Sequence, residues 1–286
     1  MHKYRLTFTH RETTADNQQI MDKTLQREIN LARNIQTQLL NGKTPTFEGG
    51  EVTGSSLPAR LIGGDYYDFY PLVNGKIRIV VGDVMGKGIP AAMLMILTRG
   101  AFRSAAESTN GPAETLTAMN QALYEDLRTL KSFVTLICAD YDPKTGVFTY
   151  ANAGHHLPLY INGRDKMVEE LPKVNGIMIG GLPNQVYKEI SIQLNEQDIV
   201  FFYTDGIVEA QNKDGEQYKL ERLIQTLLEN HEKSVSEIEK SVMDSIRQFT
   251  QGVPQKDDIT MVILKVSKQK PDISSLNSPV ISEREG

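Results

Sequence analysis

An α+β fold, with antiparallel sheets covered by helices, is what the order of patterns along this chain predicts. Two features carry that prediction. Strand-like runs come in groups instead of alternating one for one with helices, so the chain reads strands, two helices, strands, two helices, strand. No repeat or linker divides Gly50–Val266, so one domain holds them all. With 286 residues and 40% apolar side chains, the chain is long enough to bury a sizeable core.

Residues 1–15 are polar, and a flexible N-terminus is expected there. Residues 16–41 carry one long helix without internal Gly or Pro. Met21, Leu25, Ile29, Ala32, Ile35 and Leu39 recur at steps of three and four and make one apolar stripe. Two readings of that stripe stand: packing against its own domain, or a coiled coil that dimerises or receives a signal. Glu51–Ala59 reads as a strand. A hairpin then pairs Asp65–Pro71 with Lys76–Gly82 across Val73-Asn74-Gly75, an Asn-Gly turn. Ile89–Glu107 and Pro112–Leu130 are helical, the first mostly buried and the second amphipathic through Leu116, Met119, Leu123 and Leu127. Strands follow at Phe133–Tyr141 and Val147–Ala151, joined by the turn Asp142–Gly146. His156–Ile161 and Glu189–Leu194 are expected as edge strands, and Ile199–Tyr203 as a buried one. Helices over Tyr218–Asn230 and Val235–Phe249 precede a last strand, Asp258–Val266. The domain is placed at 46–267, and residues 268–286 are polar, Pro/Ser-rich and expected to be disordered.

Composition excludes several function classes. A formal net charge of −5 gives no electrostatic support for nucleic-acid binding. A single cysteine, Cys138, leaves no intramolecular disulfide or Cys-rich zinc site, and its apolar surroundings predict a buried inert thiol. No run reaches the roughly 18 apolar residues of a membrane span, and the N-terminus lacks a signal peptide's apolar core. A cytoplasmic setting without membrane insertion is the expectation.

The centre of the chain is Leu61–Met95. β-Branched residues Ile77, Ile79, Val80 and Val81 make a buried strand, and Gly82-Asp83-Val84-Met85-Gly86-Lys87-Gly88 ends it in a glycine-rich turn. Pro90 then suits a first helical turn. Asp83 therefore stands at a strand end, with Asp65 on the neighbouring strand. Two converging carboxylates must share a proton or bind a cation, and the cation is the reading taken here. Asp205 in Thr-Asp-Gly and the doublet Asp257-Asp258 are further acids at strand ends. An Asp beside Gly is ordinarily a turn or cap residue, so the joint pattern carries the inference. Carboxylates without Cys or paired His suit Mg²⁺ or Mn²⁺.

GGDYYDFY, VGDVMGKGIPAAMLM, ANAGHHLPL, FFYTDGIVEA and KDDITMVIL, in this order and spacing, resemble the SpoIIE/RsbU branch of the PPM family of metal-dependent serine/threonine protein phosphatases. The resemblance runs from about Leu31 to Val266. It implies an α-β-β-α sandwich of two antiparallel sheets flanked by helix pairs, with two Mn²⁺ or Mg²⁺ ions at one end. By that resemblance Asp83 bridges both ions, the Val84 carbonyl ligates one, and Asp205 and Asp257 complete the set. Asp65 joins directly or through water. Asp258 is the alternative to Asp257, and Asp68 stands behind the ligands. Metal-activated water would attack phosphoserine in line.

Arg60, five residues before Asp65, has two readings: a contact to the substrate phosphate, or an exposed strand-end arginine. Lys87, in the glycine-rich turn, also has two readings, a contact to phosphate or a solvated lysine, and the second is the default. Other family members carry a His where this chain has Met85, which leaves the proton donor for the leaving serine oxygen unassigned. The pair His155-His156 has a metal ligand or a general acid as its functional reading; the two residues point to opposite faces of a strand and cannot share one ion, so Asn152–Pro158 reads as structural. The resemblance further implies a phosphorylated STAS-domain substrate, an anti-anti-sigma factor. It also implies activation by a partner protein or by self-association through helix 16–41. A regulatory binding module of the same fold is the alternative.

Overall fold

Alternation along the central strands decides the architecture of the computed structural model, which describes residues 9–40 and 44–267, with side chains from Gln19 onward. In β3 (Ile77–Val84), Ile77, Ile79 and Val81 face one core, while Val80 and Val84 face another. In β10 (Ile259–Val266), Val262, Leu264 and Val266 share the first core, while Ile259, Met261 and Ile263 face a third. Strands buried on both faces need cover on both faces. Two stacked sheets with a helix layer outside each are the result.

The first sheet has the order β1 (Gly50–Leu57), β10, β9 (Ile199–Tyr203), β6 (Leu159–Asn162), β7 (Met167–Glu170). The second has β2 (Tyr66–Pro71), β3, β4 (Val134–Tyr141), β5 (Val147–Ala153), β8 (Glu189–Gln193). Every pairing between these strands is antiparallel. Between the sheets Tyr67, Phe69, Phe148, Tyr150 and Phe202 interdigitate with the inward aliphatic residues. Each fully buried side chain of this size stabilises the fold by about 1.5–3 kcal/mol.

α2 (Ile89–Ser108) and α3 (Pro112–Thr129) cover the second sheet through Met95, Phe102, Leu116, Met119 and Leu123. At the end of the sheet away from Asp83, the buried Arg78 guanidinium fastens the helix pair. It binds Asp140 through two bonds of 2.6 and 2.7 Å and donates to Thr109 and Thr115 at the α2–α3 junction. α5 (Lys219–Asn230) and α6 (Val235–Thr250) cover the first sheet. A reciprocal cap between Ser234 and Glu237 starts α6.

Four details differ from the sequence reading. The N-terminal helix, α1, spans Thr9–Leu40 and so begins before Asp16. β6 is an interior strand, bonded to β9 on one side and β7 on the other. β7 itself, Met-Val-Glu-Glu, was not anticipated, because its mostly exposed acidic residues lack the alternation that marks a half-buried strand. A single-turn helix, α4 (Asp205–Val208), follows β9 where the sequence showed only a strand end. Residues 1–8 and 268–286, expected to be flexible or disordered, lie outside the described residues.

Candidate active site

Register brings the acids together at one end of the sandwich. Tyr66 pairs with Gly82, which sets Asp65 beside Asp83 on the second sheet. Tyr203 pairs with Met261, so Asp205, just after β9, and Asp257-Asp258, just before β10, stand at the same end of the first sheet. Thr204 links the two sheets. Its hydroxyl donates to Asp65 Oδ2 at 2.7 Å and accepts the Thr260 N–H at 3.0 Å.

The doublet splits into two different environments. Asp258 is buried, and its carboxylate accepts the Ala59 and Gly64 N–H groups, each at 2.7 Å. It therefore ties down the loop that delivers Asp65. A Cβ on Gly63 would lie 2.4 Å from Asp258 Oδ2, and one on Gly64 would lie 3.0 Å from the Val84 carbonyl oxygen, so the glycine pair is what lets this loop close. Asp257 lies further out. Lys87 Nζ reaches its Oδ2 at 2.5 Å and also donates to the Lys256 carbonyl at 2.8 Å. Lys87 is thus paired, not simply solvated as the sequence suggested.

Burial and mutual repulsion make Asp65, Asp83 and Asp205 reluctant to ionise. Desolvation, followed by Asp205, Asp257 and Asp258, pushes Asp83 up to about 7. Burial and then Asp83 hold Asp65 well above the usual carboxylate range. Asp205 is raised as well, by burial and by Asp257. Such a set favours a positive partner, and its oxygen-only donors fit a hard divalent cation. The Lys87 ammonium already stands on Asp257 as a partial countercharge. Among the described residues no three His, Cys, Asp or Glu side chains form a finished cation-binding group.

The remaining candidates are dispersed. Arg60 is exposed and leans across the glycine turn, with Nη1 3.3 Å from where a Cβ on Gly88 would be. Asp68 faces α2, where Arg103 grips it with two bonds of 2.6 and 2.8 Å and Tyr66 donates a third; it does not stand behind the ligands. Cys138 is buried. His155 is buried and His156 exposed, but both lie in the loop between β5 and β6; β6 starts at Leu159 and not at His156, so strand alternation is not the reason. Asn152 clamps the turn, accepting the His155 N–H at 2.7 Å and donating to its carbonyl at 2.9 Å.

Sequence reasoning did not single out Thr204 or Gln36. The first was visible as the residue before Asp205, but a hydroxyl beside an acid has no distinctive signature. The second sits in a polar helix face among similar residues, and only the fold shows that it is buried.

Two sheets between two helix pairs, with acids gathered at one end, define the architecture of the PPM serine phosphatases. The family model for stage II sporulation protein E (SpoIIE) matches residues 74–267. The chain is 32% identical to the phosphoserine phosphatase RsbU of Bacillus subtilis over 245 residues, covering 84% of this chain and 70% of that protein. In structure it is similar to the SiaA PP2C domain of Pseudomonas aeruginosa, with a TM-score of 0.74 and 22% identity across 86% of this chain and 99% of that one. It is similar too to the RsbU and RsbW domains of a Mycobacterium tuberculosis protein, with a TM-score of 0.67 and 24% identity over 79% and 62% of the two chains. The chain belongs to the SpoIIE family, in the RsbU branch of the PPM-type serine phosphatases.

Proposed function

We propose that this serine phosphatase is activated by two Mn²⁺ or Mg²⁺ ions held by Asp65, Asp83, the Val84 carbonyl, Asp205 and Asp257. The observation that carries this reading is the convergence of acids from both sheets, with Asp83 raised to about 7 by burial and by its acidic neighbours. Asp257 is favoured over Asp258 because the Asp258 oxygens already accept backbone N–H groups of the Asp65 loop. When bound, the cations supply an activated water and neutralise phosphoryl charge. The chain's own groups do the rest. Thr204 fixes the orientation of Asp65, and Asp258 holds the loop that carries it. Arg60 is the proposed phosphate contact, supported by its exposure beside the glycine turn.

The substrate proposed is a phosphorylated STAS-domain protein, and the setting a sigma-factor circuit; similarity to RsbU supports both. The cytoplasm is the proposed location, and among the described residues no helix is long and apolar enough to cross a membrane. Activation is proposed to enter through α1, by a partner protein or a second copy. Ile20, Met21, Leu25, Leu31 and Ile35 are exposed along it, which favours the coiled-coil reading over packing on its own domain.

Hydrolysis of p-nitrophenyl phosphate and of a phosphoserine STAS protein, with Mn²⁺, Mg²⁺ or EDTA, tests this beside Asp83→Asn. Metal-dependent turnover that disappears in the variant is the expected result. A folded chain that binds the phosphoprotein but never turns it over, with an activator present, would replace this reading with that of a binding module.

A further inference from the structure

A cavity of about 470 Å³ lies between α6, the segment after α4 and the residues that lead into β10. The sequence opens it where α6 ends. Gln251 takes a left-handed conformation at φ 49°, Gly252 follows at φ 83°, and the chain then returns to β10 as a strap over residues 253–257. Hydrogen bonds hold that strap in place. Gln255 Nε2 donates to the Leu57 carbonyl at 2.7 Å and to the Asp257 carbonyl at 2.6 Å, and Lys256 Nζ donates to Gln211 Oε1. The volume is in the range that encloses a sizeable organic group.

Met243 and Ile246 of α6, Leu57 of β1 and Val253 of the strap give the cavity apolar walls. Lys87 and Asp257, ion-paired at 2.5 Å, line it as well, and so does Gly206, next to Asp205. Cavity and acid cluster therefore share a border. An extended chain advances about 3.3 Å per residue, so a phosphoserine presented to the acids brings side chains about one to three residues away to the cavity. Of the charged groups that line it, Lys87, Lys256 and Arg247 are already held by Asp257, Gln211 and Asp244, and Glu209 stands exposed. The walls thus favour an apolar side chain, which gains by leaving water where a charged one would lose.

We propose that this cavity is a specificity pocket of the phosphatase and takes an apolar side chain close in sequence to the phosphoserine of the substrate protein. This rests on the phosphatase reading above and adds what the acids cannot provide, since a carboxylate cluster does not tell one phosphoserine from another. The occupant belongs to the substrate because the cavity borders the acids at Lys87 and Asp257. The strap that walls it is pinned by Gln255 before anything binds, so entry requires little ordering of the protein.

The test gives the full-length chain, in Mn²⁺, p-nitrophenyl phosphate and a set of phosphoserine peptides. Each peptide carries Leu or Ala at one position, up to about three residues on either side of the phosphoserine. The expected result for wild type is a kcat/KM about tenfold or more higher with Leu at one of these positions, the usual lower bound for discrimination by an apolar pocket. Ala210→Phe, which fills the cavity from the segment after α4, should erase that preference and leave p-nitrophenyl phosphate turnover unchanged. Met243→Ala, which widens the cavity, should move the preference from Leu to Phe. Wild type that turns over p-nitrophenyl phosphate without preferring Leu at any position overturns the pocket. A preference for Leu that survives in the folded variants overturns it too. Inactivity of the wild type on p-nitrophenyl phosphate and on every peptide would instead overturn the metal-phosphatase reading, and the pocket with it.

Discussion

The Gln36 side chain closes a two-bond clasp on Gly63: Nε2 donates to the Gly63 carbonyl at 2.8 Å, and Oε1 accepts the Gly63 N–H at 3.1 Å. Gln36 lies on α1 and is buried, while Met21, Leu25 and Ile35 of the same helix are exposed. Gly63 begins the Gly-Gly-Asp segment that presents Asp65. The helix proposed to receive the signal is thereby bonded to the loop carrying a proposed ligand. Gln36→Ala leaves both Gly63 groups without their partner and should cost on the order of 2 kcal/mol. The expected outcome is weaker Mn²⁺ activation together with a lower Tm. Equal turnover, at all protein concentrations, by the intact chain and by one truncated to begin near Thr46 would sink the proposal that α1 regulates the site.

Metal-free stability should fall as pH rises. The folded state keeps Asp83 protonated up to about 7, while the same carboxyl in the unfolded chain ionises near its ordinary 3.8. Between those values the folded chain binds the extra proton, so its stability declines with increasing pH. Asp65 and Asp205 act in the same direction. Cation binding needs the ionised forms, so stabilisation by Mn²⁺ should grow over the same interval. Thermal melts in EDTA and in Mn²⁺ across that range measure both slopes, and Asp83→Asn should flatten the EDTA profile. A wild-type profile in EDTA that stayed level would contradict the assignment.

Asp257 and Asp258 should separate under mutation despite being adjacent. Asp258→Ala removes the acceptor for the Ala59 and Gly64 N–H groups. The expected loss is about 2–4 kcal/mol, seen as a drop of several degrees in Tm. Asp257→Asn leaves those bonds in place and should change Tm little, while Mn²⁺-dependent turnover collapses. Losses in the opposite pattern would make Asp258 the ligand.

Much of this fold was legible because its information is local. The β-branched run of Ile77, Ile79, Val80 and Val81, the turn at Asn74-Gly75 and the stripe on α3 each need only a few neighbouring residues to be read. The acids stood out for the same reason, each at the end of an apolar run. Non-local relations were not legible. Asn162-Gly163-Arg164-Asp165 marks a turn, but only pairing with β9 makes β6 interior and gives β7 a partner. Asp68, three residues from Asp65, looks equally available in sequence. It is drawn to α2 because Arg103, far along the chain, reaches it. Thr204 and Gln36 work through partners more than a hundred and more than twenty residues away, as their spacings of 139 and 27 show.

The placement of Asp205 depends on the absence of one methyl group. Gly206, the second residue of α4, lies so close to β10 that a Cβ would stand 1.9 Å from the Asp258 carbonyl oxygen. The contact is with backbone, which cannot swing aside as a flexible side chain would. Gly206→Ala must push α4 away from β10, carrying Asp205 with it and loosening the Asp258 anchor. Overpacking of this kind costs about 1–3 kcal/mol. A small displacement of Asp205 also removes it from the other acids, so Mn²⁺ affinity should fall further than stability does. Calorimetric titration of Mn²⁺ beside a thermal melt separates the two effects. Wild-type affinity in a folded Gly206→Ala variant would mean that Asp205 does not need this close approach to take its place in the cluster.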